Sequence, residues 1–144
     1  MADNLTPEQR SYCMSRVRGK DTGIEIRLRS ELHKRGLRFR KHVKNLPGTP
    51  DIVFAKARVV VFVDGDFWHG YRFAAWEHKM SEFWQRKIRM NRDRDIKNRR
   101  TLRSRGWEVV RLWQHQVEQD LEACVRLVLK TVEAALDRDC RQGD

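Results

Sequence analysis

Apolar residues recur along this chain with two periods, and the change from one to the other lays out the elements. Ile24, Leu28 and Leu32 return every four residues, which predicts a helix with one side on a core. Asp21-Thr22 caps its start and Gly36 ends it. Residues 37–42 alternate weakly and predict an edge strand. Residues 51–54 form the next strand, and 55–58 a hairpin turn. Residues 59–63, Val-Val-Val-Phe-Val, carry no polar member, the mark of a strand buried on both faces. Residues 70–80 show no clear period. Residues 81–105 predict a long helix, capped by Ser81 and stopped by Gly106, with sparse apolar positions (Phe83, Trp84, Ile88, Ile96, Leu102). Asn91, Asp95 and Asn98 fall on roughly the same side of it as Trp84 and Leu102. Residues 107–113 read as a strand. Leu121, Val125, Leu129 and Val132 keep step through a final helix over 117–137, and the tail 138–144 is expected to fray. At the front, Thr6-Pro7-Glu8 starts a short helix over 6–18. The order α, α, β, β, β, α, β, α predicts an α/β fold with a mixed central β-sheet flanked by helices.

Composition narrows the partner. A chain of 144 residues with no linker is expected to form a single domain. Its net charge of +11 favours a polyanion, nucleic acid before membrane. The charge is concentrated, because residues 86–105 hold ten Lys/Arg against two Asp. Intrahelical ion pairs on a solvated face are the plain explanation for such a helix. Two acids cannot balance ten bases, so a phosphate-facing helix is the better reading. From Glu118 onward acids outnumber bases seven to four, so the tail is a more ordinary surface. No run of 18 apolar residues suggests a membrane span. Cys13, Cys124 and Cys140 form no CxxC pair and read as reduced thiols. With no signal-like N-terminus, these features point to the bacterial cytoplasm.

The chemistry gathers in residues 46–69. Pro50-Asp51 opens a strand, and the next strand runs into Asp64-Gly65-Asp66-Phe67-Trp68-His69. A carboxylate on a rigid strand, with a second carboxylate and an imidazole just past the next strand, outlines a metal-dependent hydrolytic site. Phe67 and Trp68 are either a buried plug or a wedge for something flat. Glu25 is either a first-turn partner of the helix dipole or a group aimed inward at a site, and the dipole reading weighs more on sequence alone. Met14 can be core filler.

Glu25, Pro50-Asp51 and Asp64 resemble the PD-(D/E)xK nuclease arrangement. More specifically, the chain is similar to the very-short-patch-repair (Vsr) mismatch endonucleases. The matching stretches are SYCMSRVRGKDTGIEIRL, LPGTPDIVF, VVVFVDGDFWHG, EFWQRKIRMNRDRD and GWEVVRLW, spread over residues 11–113. The resemblance implies a restriction-endonuclease-like fold and a monomer that nicks one strand of double-stranded DNA at a T:G mismatch left by deamination of 5-methylcytosine. It implies Mg²⁺, held by Asp51 and the backbone carbonyl of Val63, with Glu25 on metal-bound water and His69 as the acid–base group. Met14, Phe67 and Trp68 would be wedges, and Lys87 and Asn91 would face the DNA. Mismatch-repair proteins are possible partners.

The chain also departs from the family pattern. Asp64 stands where many members have His, and it is a candidate Mg²⁺ ligand or base. The catalytic lysine of broader relatives is absent. Positions that hold a structural zinc in many members read Asp66, Tyr71, Phe73 and His115, so no zinc is expected, and a mixed site using His78 carries little weight. The alternatives are a related nuclease with another DNA target, tied to restriction–modification, and a DNA-binding module that has lost catalysis.

Overall fold

The computed structural model describes residues 23–66 and 69–142. The helix expected over 6–18, Met14 and the pair Phe67 and Trp68 lie outside the described residues. Helix α1 (Gly23–Lys34) buries Leu28 and Leu32 completely. The turn at Gly36, with φ +89°, releases the chain from the helix through the left-handed region.

Four strands follow: β1 (Arg40–Lys41), β2 (Ile52–Phe54), β3 (Val59–Asp64) and β4 (Glu108–Trp113). They lie side by side in chain order. β1 and β2 pair antiparallel, as do β2 and β3, while β3 and β4 run parallel from Val59↔Glu108 to Asp64↔Trp113. The parallel step needs a long crossover. It is supplied by α2 (Phe73–Trp76), a 3₁₀ turn (Glu77–Lys79) and α3 (Glu82–Ser104). Helices α4 (Gln114–Gln119) and α5 (Leu121–Gln142) close the fold. The mixed sheet flanked by helices is the α/β architecture that the apolar pattern predicts. β3 is buried along nearly its whole length, as its lack of polar residues requires.

The period-two alternation of the strands sorts their side chains onto two faces. Ile52, Phe54, Val59, Val61, Val110 and Leu112 pack in one core with α1, α4 and α5, including Val125, Val128 and Val132. Val53, Val60 and Phe62 pack in a second core with Leu102 of α3. Asp51, Asp64 and Arg111 belong, by the same alternation, to the α3 side of the sheet. The charged groups are thus the continuation of an apolar face toward one end of β2, β3 and β4.

Four local expectations change. The edge strand over 37–42 shrinks to two residues, because Leu37 and Phe39 turn onto the core and His42 adopts φ +52°. Residues 70–80, without a clear period, hold α2 and the 3₁₀ turn. Ser81 precedes α3 in extended geometry but makes no side-chain capping bond. The final helix is two helices broken at Asp120, whose φ of −148° and ψ of 74° are not helical. Its Oδ1 accepts the Ala123 N–H at 3.0 Å, which caps α5 at the expense of continuity. α5 then runs on to Gln142, so residues 138–142 are helical rather than frayed.

Candidate active site

Asp51 is the most constrained carboxylate in the protein's cleft. Its backbone N–H donates to the Val61 carbonyl at 3.1 Å, and its own carbonyl accepts from His42 N–H at 3.2 Å. The side chain is fixed as well, since Val63 N–H donates to Asp51 Oδ2 at 2.7 Å. Burial pushes its pKa up from 3.8 to about 7; the Val63 bond opposes the rise, and the nearby Glu25 and Asp64 carboxylates add to it.

Glu25 sits in the first turn of α1, as a dipole partner would, yet is only 3% exposed. Its Oε2 lies 3.4 Å from Arg29 and 3.7 Å from His42 Nε2. His42 Nδ1 is 3.9 Å from Asp51 Oδ1. α1, the end of β1 and the start of β2 thereby bring Glu25, His42 and Asp51 together. The inward reading of Glu25 is the one its burial supports.

A second group forms where β3 ends. Asp64 Oδ2 accepts from Arg111 Nε at 2.6 Å, and Asp64 Oδ1 lies 3.7 Å from His69 Nε2. His69 Nδ1 donates to Asp95 Oδ2 at 2.5 Å. Burial raises the Asp64 pKa against the pull of His69 and Arg111. Burial works to lower the pKa of His69, but the Asp95 hydrogen bond and the charges of Asp64 and Asp95 outweigh it, and the net shift is upward. Asp95 and Asp64 thus favour the imidazolium more than the surroundings of a free histidine would. Gly70, with φ +70°, lets this loop press against α3: a Cβ there would meet Arg92 Cδ at 2.6 Å and Ile88 Cγ2 at 3.0 Å.

The two groups face one cavity of about 400 Å³, which Asp51, Asp64, His69, Asp95, Asn98 and Arg99 help to line. The ligand atoms of Glu25, His42 and Asp51 lie within 4.8 Å of one another, and so do those of Asp64, His69 and Asp95. Two carboxylates and an imidazole in each group could hold a divalent metal ion. A divalent ion would also offset the mutual repulsion of the crowded carboxylates.

Of the residues singled out in the sequence, Asp51, Asp64 and His69 line this cleft, and Glu25 lies next to it, 3.7 Å from His42. Val63 contributes its N–H to Asp51, and its side chain packs on the opposite core. Asn91 is one turn before Asp95 on α3, about 6 Å along the axis, and Lys87 one turn further. The Lys87 ammonium lies over the rings of Trp84 and Phe83, at 5.5 and 5.8 Å from their centroids. Phe67 and Trp68 are outside the described residues but are bracketed by Asp66 and His69. Three residues enter that the motifs did not point to: His42, Asp95 and Arg111. Asp95 had a signal, its place on the Trp84 and Leu102 side of α3. His42 had none, and Arg111 had only its place in the family-matching stretch GWEVVRLW.

The positions compared with zinc ligands form a different cross-link. His115 Nδ1 donates to Asp66 Oδ1 at 2.9 Å. The Tyr71 ring packs on His115 and Trp113, with centroids at 4.3 and 4.9 Å. Phe73 is buried, 2% exposed.

Comparison with known proteins decides the family. The model of the DNA mismatch endonuclease Vsr family matches residues 2–75. The chain belongs to the DNA mismatch endonuclease Vsr family. Among its relatives is the type II nicking enzyme V.XorIIP of Xanthomonas oryzae pv. oryzae, 45% identical over 133 residues, or 90% of this chain and 98% of that one. The type II nicking enzyme V.NmeDIP of Neisseria meningitidis serogroup C is 39% identical, covering 90% of each chain. The DNA mismatch endonuclease Vsr of Escherichia coli strain K12 is 38% identical over 79% of this chain and 74% of its own. Membership in the Vsr family makes this protein a DNA endonuclease. Among the described residues no helix is long and apolar enough to cross a membrane.

Proposed function

We propose that this protein nicks one strand of double-stranded DNA at T:G mismatches by magnesium-dependent phosphodiester hydrolysis, acting as a monomer in very short patch repair in the bacterial cytoplasm. The observation that carries the reading is Asp51, a buried carboxylate pinned by the Val63 N–H between Glu25 and Asp64 and facing the same cleft as His69. Asp51 and the Val63 carbonyl would hold Mg²⁺, and Glu25 would orient water beside it. When bound, the ion supplies positive charge to the phosphate undergoing attack. His69, aligned by Asp95, delivers a proton to the departing alkoxide as the phosphorus–oxygen bond breaks. Met14, Phe67 and Trp68 open the stack, which costs about a few kcal/mol per step and least at a mispaired base. Lys87 and Asn91 contact the DNA near the mismatch. Mismatch-repair proteins are candidate partners.

The test is a duplex with one T:G pair, each strand carrying its own label. Cutting is expected on the T strand alone and only with Mg²⁺ present. Equal cutting of fully paired DNA would replace the mismatch reading with the second one, a nicking enzyme whose target is set by a restriction–modification system. That reading draws support from the relatives described as type II nicking enzymes.

The outer surface of α3 supplies the sequence-blind part of binding. Arg86, Arg94, Lys97, Arg100 and Arg103 are exposed along it. Log affinity should fall against log salt with a slope of about −0.9 per phosphate neutralised. The double change Arg94→Ala and Lys97→Ala should make that slope shallower by about 1–2, measured by fluorescence anisotropy at several salt concentrations.

The Asp66–His115 bond and the Tyr71 stack take the place of a structural zinc. Asp66→Ala should lower Tm by about 2–4 °C, the effect of losing roughly 1 kcal/mol in a domain of this size. A zinc-selective chelator, with Mg²⁺ kept in excess, should leave the Tm of the unaltered chain in place. A large drop on chelation would reinstate a metal at this cross-link.

A further inference from the structure

We infer that Arg111 is a positioning residue that holds Asp64 out of metal coordination and turned toward His69, so that the cleft takes its divalent ion at Asp51. The inference rests on the metal-dependent reading above. β4 pairs with β3 so that Arg111 lies beside Phe62, on the face that Asp64 shares by the strand's alternation. Its Nε donates to Asp64 Oδ2 at 2.6 Å, and a terminal nitrogen lies 3.7 Å from Asp95 Oδ2. The guanidinium lies over the Trp113 ring, 4.0 Å from its centroid, which restrains it.

Both oxygens of Asp64 therefore already answer a basic group: Oδ2 faces Arg111, and Oδ1 faces His69 Nε2 at 3.7 Å. Asp51 is placed differently. Its Oδ2 accepts a neutral backbone N–H in place of a guanidinium, its Oδ1 faces the His42 imidazole at 3.9 Å, and the anions Glu25 and Asp64 around it are opposed by His69. A divalent cation entering the cleft is repelled from the guanidinium at Asp64 and drawn to Asp51. Arg111 also lets the cleft hold a buried Asp64 and Asp95 together, by offsetting part of their charge.

The test is Mn²⁺ binding to the full chain, counted by electron paramagnetic resonance, with a thermal melt of each variant. Arg111→Met keeps a long side chain over Trp113 but frees Asp64. It is expected to bind one further Mn²⁺ per chain, or to bind Mn²⁺ about tenfold more tightly. Adding Asp64→Asn to Arg111→Met should return binding to that of the unaltered chain. Asp64→Asn alone should weaken Mn²⁺ binding only through the lost charge beside Arg111, by less than about tenfold. Unchanged Mn²⁺ binding in a folded Arg111→Met chain would overturn the inference. A tenfold loss in the single Asp64→Asn variant would overturn it too, whether or not Arg111→Met folds, because Asp64 would then be a ligand already. No Mn²⁺ binding by the unaltered chain would be a separate failure, taking down the metal-dependent reading and this inference with it.

Discussion

Asp51→Asn should cut DNA at least about a thousandfold more slowly and, without metal at pH 8, should be more stable than the unaltered chain. The first effect follows from losing the charge that holds the cation. About 4 kcal/mol of transition-state stabilisation corresponds to a thousandfold in rate. The second follows from burial. In the unfolded chain Asp51 ionises near 3.8, and in the folded protein at about 7. Between those pH values the folded state keeps a proton that the unfolded state has released. Stability from this group is therefore full below about pH 4, falls as pH rises, and is lost above about pH 7. Asn is neutral and can still accept the Val63 N–H through its amide oxygen. The variant should gain about 2–4 kcal/mol at pH 8, seen as a Tm higher by about 5–10 °C in EDTA. The gain should shrink toward zero near pH 4. A gain that does not change with pH, or a less stable variant at pH 8, would contradict the account of Asp51 as a buried charge awaiting a cation.

The second large effect is at His69. His69→Ala should slow nicking by about a hundredfold to ten-thousandfold, the usual range for removing a positioned proton donor, with DNA affinity little changed. Asp95→Asn should have a smaller effect on the rate and a diagnostic effect on its pH dependence. The Asp95 carboxylate stabilises the imidazolium, so removing its charge lowers the pKa of His69. If the protonated form is the working one, activity in Asp95→Asn is lost at a lower pH as the solution is made alkaline. Single-turnover nicking rates against pH measure this directly. An alkaline limb that stays in place in Asp95→Asn would remove the dyad from the proton transfer.

Much of the architecture is local in origin and therefore legible in the chain. β3 declares itself because five successive apolar residues cannot face water on either side. α1 and α5 show their buried stripes at helical spacing. The misread stretches are those where a single contact outweighs periodicity. Asp120 interrupts a helix whose apolar residues remain in step across the break, because its carboxylate caps the next turn. The edge strand is cut short by the left-handed backbone at His42, which no side-chain pattern announces.

The candidate site divides along the same line. Asp51, Asp64 and His69 were visible as a group because they lie within nineteen positions of one another on two adjacent strands and the turn beyond. The family's stretches added Glu25. His42 lies in no matching stretch and Arg111 only inside GWEVVRLW, and each looks like one of many basic residues in a strongly cationic chain. Asp95 has a helical address but no sequence sign that its partner is His69, 26 residues away.

Sequence by itself determined the main apolar stripes, the buried strand β3 and most of the helices, and that carboxylates cluster at a strand end while one helix is strongly basic. These follow from hydrophobic spacing and turn chemistry, which act over a few residues. Only the tertiary structure decided which charge answers which: Arg111 to Asp64, Asp95 to His69, His42 beside Glu25 and Asp51. Electrostatic partnership depends on distance and burial after the chain has folded, and strand register and the rotation of α3 set both.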